Sequence, residues 1–214
     1  MLRNILPAYY DHMMNNPDTL VTRFFGLHSL IQGREKMTFV VMGNVFHQQK
    51  PIQQVFDLKG STINRSTPMN RRGPGMALKD LDFLRKLPIP AEIRLKLVQQ
   101  INIDSKLLSG LNINDYSFLL GIHTSVEGAV GECPPGVCPP PMHSAFQQYW
   151  GGVPSKDGKE VFFVGIIDIL TNYEVRKMGE HLVKSILHEA GAMSCVPPPD
   201  YHVRFVRYME SIME

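Results

Sequence analysis

The sequence predicts an α+β domain: buried strands that carry isolated carboxylates, covered by separate amphipathic helices. Three observations carry that prediction. Val161–Ile169 is an apolar run broken only by Gly165 and Asp168, as expected of a strand buried on both faces. After it the period changes. Val175, Met178, Leu182, Val183, Ile186 and Leu187 recur at helical spacing, with Arg176, Lys177, Lys184 and His188 between them. Two β-rich runs, Leu20–Leu30 and Lys36–Phe46, flank the turn Gln32-Gly33-Arg34 and read as an antiparallel hairpin.

Taken in order, the chain opens on a helix, with Leu2, Ile5, Leu6, Tyr9, Tyr10, Met13 and Met14 on one face. Pro7 falls in or near its first turn, and Asn15-Asn16-Pro17-Asp18 ends it. The hairpin follows, and then a strand, Ile52–Leu58, that leads into Lys59-Gly60-Ser61-Thr62. Arg65–Gly75 reads as a mobile basic loop, Ala77–Leu87 as a short helix, and Ala91–Leu108 as a longer one closed by Gly110. Leu111–His123 runs from a polar cluster into an apolar strand ending Gly-Ile-His. Residues 124–150 are rich in Gly and Pro without periodicity and read as a flexible insertion; Cys133 and Cys138 lie there without partners at zinc-site spacing. Val196-Pro-Pro-Pro stops the preceding segment, and Tyr201–Met213 forms a last helix.

Composition narrows the function. At 214 residues with 43% hydrophobic and 20% charged content, the chain can bury a real core. A net charge of +2 gives no global attraction to nucleic acid. Three cysteines fit a reducing compartment, and no apolar run is long enough to span a bilayer. The expected setting is cytoplasmic, with any membrane contact peripheral. Histidine metal motifs and the serine-hydrolase elbow are absent, and Gly152–Lys159 misses phosphate-loop spacing by one residue.

Two carboxylates, Asp115 and Asp168, stand at strand ends among apolar residues. Each either caps a turn or serves a site. Phosphoryl transfer needs one carboxylate beside the acceptor hydroxyl and another for the magnesium that bridges the phosphates. Lys59, in a glycine-containing turn after a strand, is either a surface cation or a point charge for a phosphate. The basic helix after Asp168 either covers a core or lies on an anionic surface.

The motifs Asp57-Leu-Lys-Gly-Ser-Thr62, Lys79-Asp-Leu-Asp-Phe-Leu84, Asn114-Asp-Tyr-Ser117 with Gly121-Ile-His123, Gly165-Ile-Ile-Asp-Ile-Leu170 and the terminal Tyr201…Arg204-Phe205 occur in one order. In that order they resemble the phosphatidylinositol phosphate kinases. Glu180-His181 and Gly151-Gly-Val-Pro154 resemble the type I branch, the phosphatidylinositol-4-phosphate 5-kinases. The resemblance implies a protein-kinase-related fold spanning residues 1–214 with an incomplete N-lobe. It implies ATP and magnesium as cofactors, with transfer of the γ-phosphate to phosphatidylinositol 4-phosphate in an anionic membrane at the cytoplasmic face of the plasma membrane.

The same resemblance implies roles for individual residues. Asp115 belongs to the catalytic loop, Asp168 holds magnesium, and Lys59 lies near the nucleotide or lipid phosphates. Arg65 contacts the inositol phosphate. Residues 171–200 form the activation-loop segment, in which Lys177, Glu180 and Lys184 meet the lipid.

The chain departs from the family at Asn114, where Met is usual, and at Lys177-Met178, where two lysines are usual. No glycine-rich loop or ATP-binding strand lysine precedes the first helix, so a fragment is expected rather than a degenerate copy. A catalytically incomplete phosphoinositide-binding module is the alternative.

Overall fold

Glycine spacing and strand alternation set the arrangement of the central sheet. The computed structural model describes residues 1–46, 50–73, 75–124, 152–171, 173 and 196–214. The described elements run α1 (Leu2–Asn15), β1 (Phe24–Gln32), β2 (Glu35–Met42), β3 (Gln54–Leu58), β4 (Ala77–Leu78), α2 (Ala91–Gly110), β5 (Ser117–Thr124), β6 (Val153–Pro154), β7 (Glu160–Ile167) and α3 (Pro198–Ile212). β1 and β2 form a two-stranded antiparallel sheet, and the other strands form a second sheet in the order β4-β3-β5-β7-β6. Only the short β3–β4 pairing in that sheet is parallel. The expected α+β class holds.

In the larger sheet, Leu58 lies opposite Phe118 and Phe118 opposite Ile166, while Phe56 lies opposite Leu120. Paired residues share a face, so this face forms a continuous apolar surface. It joins one core with Leu97, Ile101 and Leu108 of α2 and Tyr201, Phe205 and Met209 of α3. The opposite face carries Asp57, Ser117, Leu119, Gly121 and Gly165. Here Val45 and Phe46 cross the sheet so closely that a Cβ on Gly121 would meet Phe46 at 2.5 Å, and one on Gly165 would meet Val45 at 2.6 Å. The glycine that interrupts the apolar run is therefore a clearance for the chain leaving β2.

The opening helix forms where its apolar period places it, but it buries a narrower stripe than the sequence suggests. Ile5, Tyr9 and His12 are buried, whereas Leu6, Tyr10 and Met14 are exposed. His12 joins the stripe because Asp104 of α2, with no exposed surface, lies 2.7 Å from its Nε2. The same carboxylate accepts hydrogen bonds from Thr19 Oγ1, the Leu20 amide and Gln100 Nε2. The segment so held then runs beside β7: Ile166 N donates to Leu20 O at 2.7 Å and Thr22 N to Ile166 O at 3.0 Å.

Two expectations need correction. Ala77–Leu87 is not a helix: Ala77–Leu78 pairs with β3, and Asp80–Asp82 makes a single 3₁₀ turn. Asp82 accepts the Thr67 and Lys79 amides, and Asp80 accepts those of Lys59 and Gly60, so these carboxylates tie the segment to other backbone instead of to a growing helix. The basic loop is also anchored, through Arg65 and through Arg72, whose Nη2 donates to Asp82 at 2.6 Å. The segment 171–200 and the insertion at 124–150 lie almost wholly outside the described residues. No helix among the described residues is long and apolar enough to cross a membrane.

Candidate active site

The site lies where β3, β5 and β7 end together. Period-two alternation puts Asp57 and Lys59 on the same side of β3 and its following turn. Ser117 opens β5 opposite Ile167 of β7, with Asp115 just before the first strand and Asp168 just after the second. Three segments distant in sequence thus bring their polar residues to one end of the sheet.

Lys59 is the common neighbour. Its Nζ is 3.0 Å from Asp115 Oδ2 and donates to the Asp115 carbonyl at 2.7 Å; both side chains are largely enclosed. Asp57 Oδ1 accepts from Ser117 Oγ at 3.1 Å and from Arg65 Nη2 at 2.6 Å. Asp168 is the most accessible of the group, yet crowding around its carboxyl desolvates it and raises its pKa. The positive charge of Lys59 opposes that rise, and Asp57 and Asp115 add to it.

Backbone strain coincides with the chemistry. Only four non-glycine residues among those described have positive φ, and two of them are Asp115 at 62° and Asp168 at 63°. A left-handed turn lifts each carboxylate off its strand direction, at a cost of order 1–3 kcal/mol each. The turn before β5 is fastened on both sides: the Asp115 amide donates to Asn114 Oδ1, and Asn114 Nδ2 donates to Val196 O. Next to it, Tyr116 makes edge contacts with Tyr201 and Phe205 of α3, and the Tyr201 hydroxyl donates to the Tyr116 carbonyl. Burial pushes both tyrosines far above their ordinary pKa, so they act as neutral packing groups.

The structure brings Lys59 and Asp115 into contact and places Asp168 within reach of their charges. Arg65, which the resemblance implies contacts the inositol phosphate, is held by two carboxylates. It is 8% exposed; its Nε donates to Asp80 Oδ2 at 2.6 Å and its Nη2 grips the Asp57 carboxylate and carbonyl. Desolvation alone would lower its pKa, but the two carboxylates raise it. Lys177, Glu180 and Lys184 lie outside the described residues. Sequence reasoning missed Asp57 and Asp80 as members of the site. For Asp57 a signal existed, its i, i+2 relation to Lys59.

Magnesium suits this donor set. The carboxylates are hard oxygen ligands, of the kind magnesium takes. Among the described residues, no three acidic, His or Cys side chains are grouped as a ready-made cation site.

An α+β domain that gathers carboxylates around a lysine at the end of its sheet has the donor set of a metal-assisted phosphotransferase. The chain belongs to the phosphatidylinositol-4-phosphate 5-kinase family, whose sequence model matches residues 1–133 and 141–212. It is 33% identical to a probable phosphatidylinositol phosphate kinase of Dictyostelium discoideum, covering 100% of this chain and 38% of that protein. It is also 33% identical to a phosphatidylinositol 4-phosphate 5-kinase of Schizosaccharomyces pombe, covering 98% and 37%. Identity to the type-1 beta 5-kinase of Mus musculus is 30%, covering 98% and 46%. The chain thus spans less than half the length of each of these relatives.

Proposed function

We propose that this chain carries the catalytic end of a lipid kinase that transfers the ATP γ-phosphate to phosphatidylinositol 4-phosphate, giving phosphatidylinositol 4,5-bisphosphate. The observation that carries the reading is the enclosed Lys59–Asp115 ion pair, with Asp168 close enough to respond to the charges of Lys59, Asp57 and Asp115. The family match and the activities named for the relatives support the same substrate class.

Asp115 orients the inositol hydroxyl and accepts its proton as the bond to phosphorus forms. The Lys59 ammonium holds the Asp115 carboxylate in place and balances negative charge on the incoming phosphates. Asp168 would hold magnesium together with the nucleotide phosphates. When bound, that ion neutralises and aligns the phosphate oxygens. Crowding on the apolar side of the turn keeps bulk water from the Lys59–Asp115 pair, which strengthens its electrostatics. Lys177 and Lys184 supply cations toward the headgroups of the cytoplasmic leaflet. Glu180, repelled by a bare anionic surface, serves selection among phosphoinositides more than affinity.

The test is turnover on vesicles containing phosphatidylinositol 4-phosphate, with the product's phosphate position analysed. Asp115→Ala lowers turnover by roughly 100-fold or more, as expected for a positioned acid–base group, with ATP binding little changed. Normal turnover in that variant refutes the assignment. Phosphoinositide binding without turnover in the parent protein would instead support a non-catalytic binding module.

A further inference from the structure

The Lys59 turn is clamped from below by one buried carboxylate. Asp80 is 6% exposed and holds three donors at once: its Oδ1 accepts the Lys59 amide at 2.9 Å and the Gly60 amide at 2.7 Å, and its Oδ2 accepts Arg65 Nε at 2.6 Å. Directly after these two amides the chain takes a left-handed step at Gly60, whose φ of +67° a glycine adopts without steric cost. The far side of the turn is closed by α3. A Cβ on Gly60 would stand 2.9 Å from Tyr208 Cβ and 3.3 Å from the Arg204 carbonyl, while the Tyr208 hydroxyl reaches the Asp80 carbonyl at 3.4 Å. The turn is therefore wedged between α3 and Asp80, with little room to shift.

The clamp extends to the next strand residue of the site. Arg65, held by Asp80, reaches across to the Asp57 carboxylate. Lys59 and Arg65 are thus held by Asp80 directly, and Asp57 through Arg65. A buried carboxyl left without donors would be costly, and these three donors satisfy Asp80 at its 6% exposure.

We propose that Asp80 is the positioning residue of the site: through the Lys59 and Gly60 amides it sets the reach of the Lys59 ammonium to Asp115, and through Arg65 it fixes Asp57. Asp80 acts on the site through these groups, and Arg65 is part of the same brace. The catalytic consequence rests on the role given to Lys59 above, whereas the geometric claim does not.

The test separates the two. The side-chain carboxyl of Asp115 in ¹³C-labelled protein reports the Lys59 ammonium directly, so Lys59→Met moves its resonance. Asp80→Asn keeps an acceptor for the amides but loses the one for Arg65, while Asp80→Ala loses both. Both are expected to move the Asp115 resonance in the same direction as Lys59→Met, Ala more than Asn, and the double variant moves it no further. Exchange of the Lys59 and Gly60 amide hydrogens rises by about tenfold or more in Asp80→Ala, the equivalent of one lost charge-assisted hydrogen bond. Turnover falls by about 10- to 100-fold in Asp80→Asn, the scale of a small misplacement of a catalytic group, and by no more than in Lys59→Met when the two are combined. An Asp115 resonance that ignores Asp80→Asn, in protein that stays folded, overturns the brace. Normal turnover in Lys59→Met overturns the catalytic role of Lys59 and leaves the resonance test standing.

Discussion

Asp104 offers a sharp perturbation of the frame that carries the site. Its carboxylate is fully buried and faces His12 Nε2 at 2.7 Å, Thr19 Oγ1 at 2.8 Å, the Leu20 amide at 2.7 Å and Gln100 Nε2 at 2.8 Å. Asp104→Ala leaves all four groups without this acceptor in a site closed to water. Hydrogen bonds to a charged group contribute about 1.5–3 kcal/mol each, but they share one acceptor and do not add. Breaking a buried hydrogen-bond network around one shared acceptor is among the costliest single changes, and about 3–5 kcal/mol is the expectation. For a domain of this size that corresponds to a fall of roughly 6–20 °C in Tm. Urea unfolding followed by tryptophan-independent far-UV circular dichroism measures the loss, with the slope checked so that a changed unfolded state is not mistaken for lost stability. Amide exchange should quicken first in α1 and in Leu20–Thr22, because Asp104 ties both to α2. A loss below about 1 kcal/mol, within the range of ordinary surface substitutions and single neutral hydrogen bonds, would refute the hub.

Three further outcomes follow from the same geometry. Gly60→Ala forces a left-handed alanine against Tyr208 Cβ at 2.9 Å, so urea unfolding should show a loss of more than about 1 kcal/mol and turnover should fall with it. In Asp168 the folded pKa is raised, first by desolvation, so ionisation is penalised in the folded state above that pKa and unpenalised below the unfolded value of about 3.9. Asp168→Asn therefore raises the urea midpoint near neutral pH, and the gain fades as pH falls through the folded pKa toward the unfolded one; a gain that persists unchanged at low pH contradicts the cause. Neutralising Lys177 and Lys184 together should weaken sedimentation with anionic vesicles in a salt-sensitive way, at about 1 kcal/mol per basic residue, while Glu180→Ala shifts which phosphoinositide is accepted. Binding equal to the parent's at low salt would mean that segment only covers a core.

What was legible in the sequence was whatever a local period encodes. β7 reads from its apolar run, α2 from its length and punctuation, and the hairpin from Gly33, which takes φ of 63° at the turn. Asp115 and Asp168 stood out because a carboxylate among apolar neighbours needs a reason. The helix expected at Ala77–Leu87 does not form because Asp80 and Asp82 accept backbone amides and tie down turns. The Asp57–Arg65–Asp80 brace was illegible for a different reason. Its partners are 8 and 15 residues apart through a loop with no period, and only the folded chain brings them together. The narrow buried stripe of α1 was hidden likewise, since His12 enters it only through Asp104, 92 residues away.

Calorimetric titration of ATP into the chain with and without magnesium, repeated on Asp168→Asn, tests most directly whether these carboxylates form a phosphoryl-transfer site. The parent chain is expected to show an ATP-binding signal that depends on magnesium, and Asp168→Asn to lose that dependence by at least tenfold in affinity while its circular dichroism stays that of the folded protein. Magnesium-dependent ATP binding as tight in Asp168→Asn as in the parent would contradict the account.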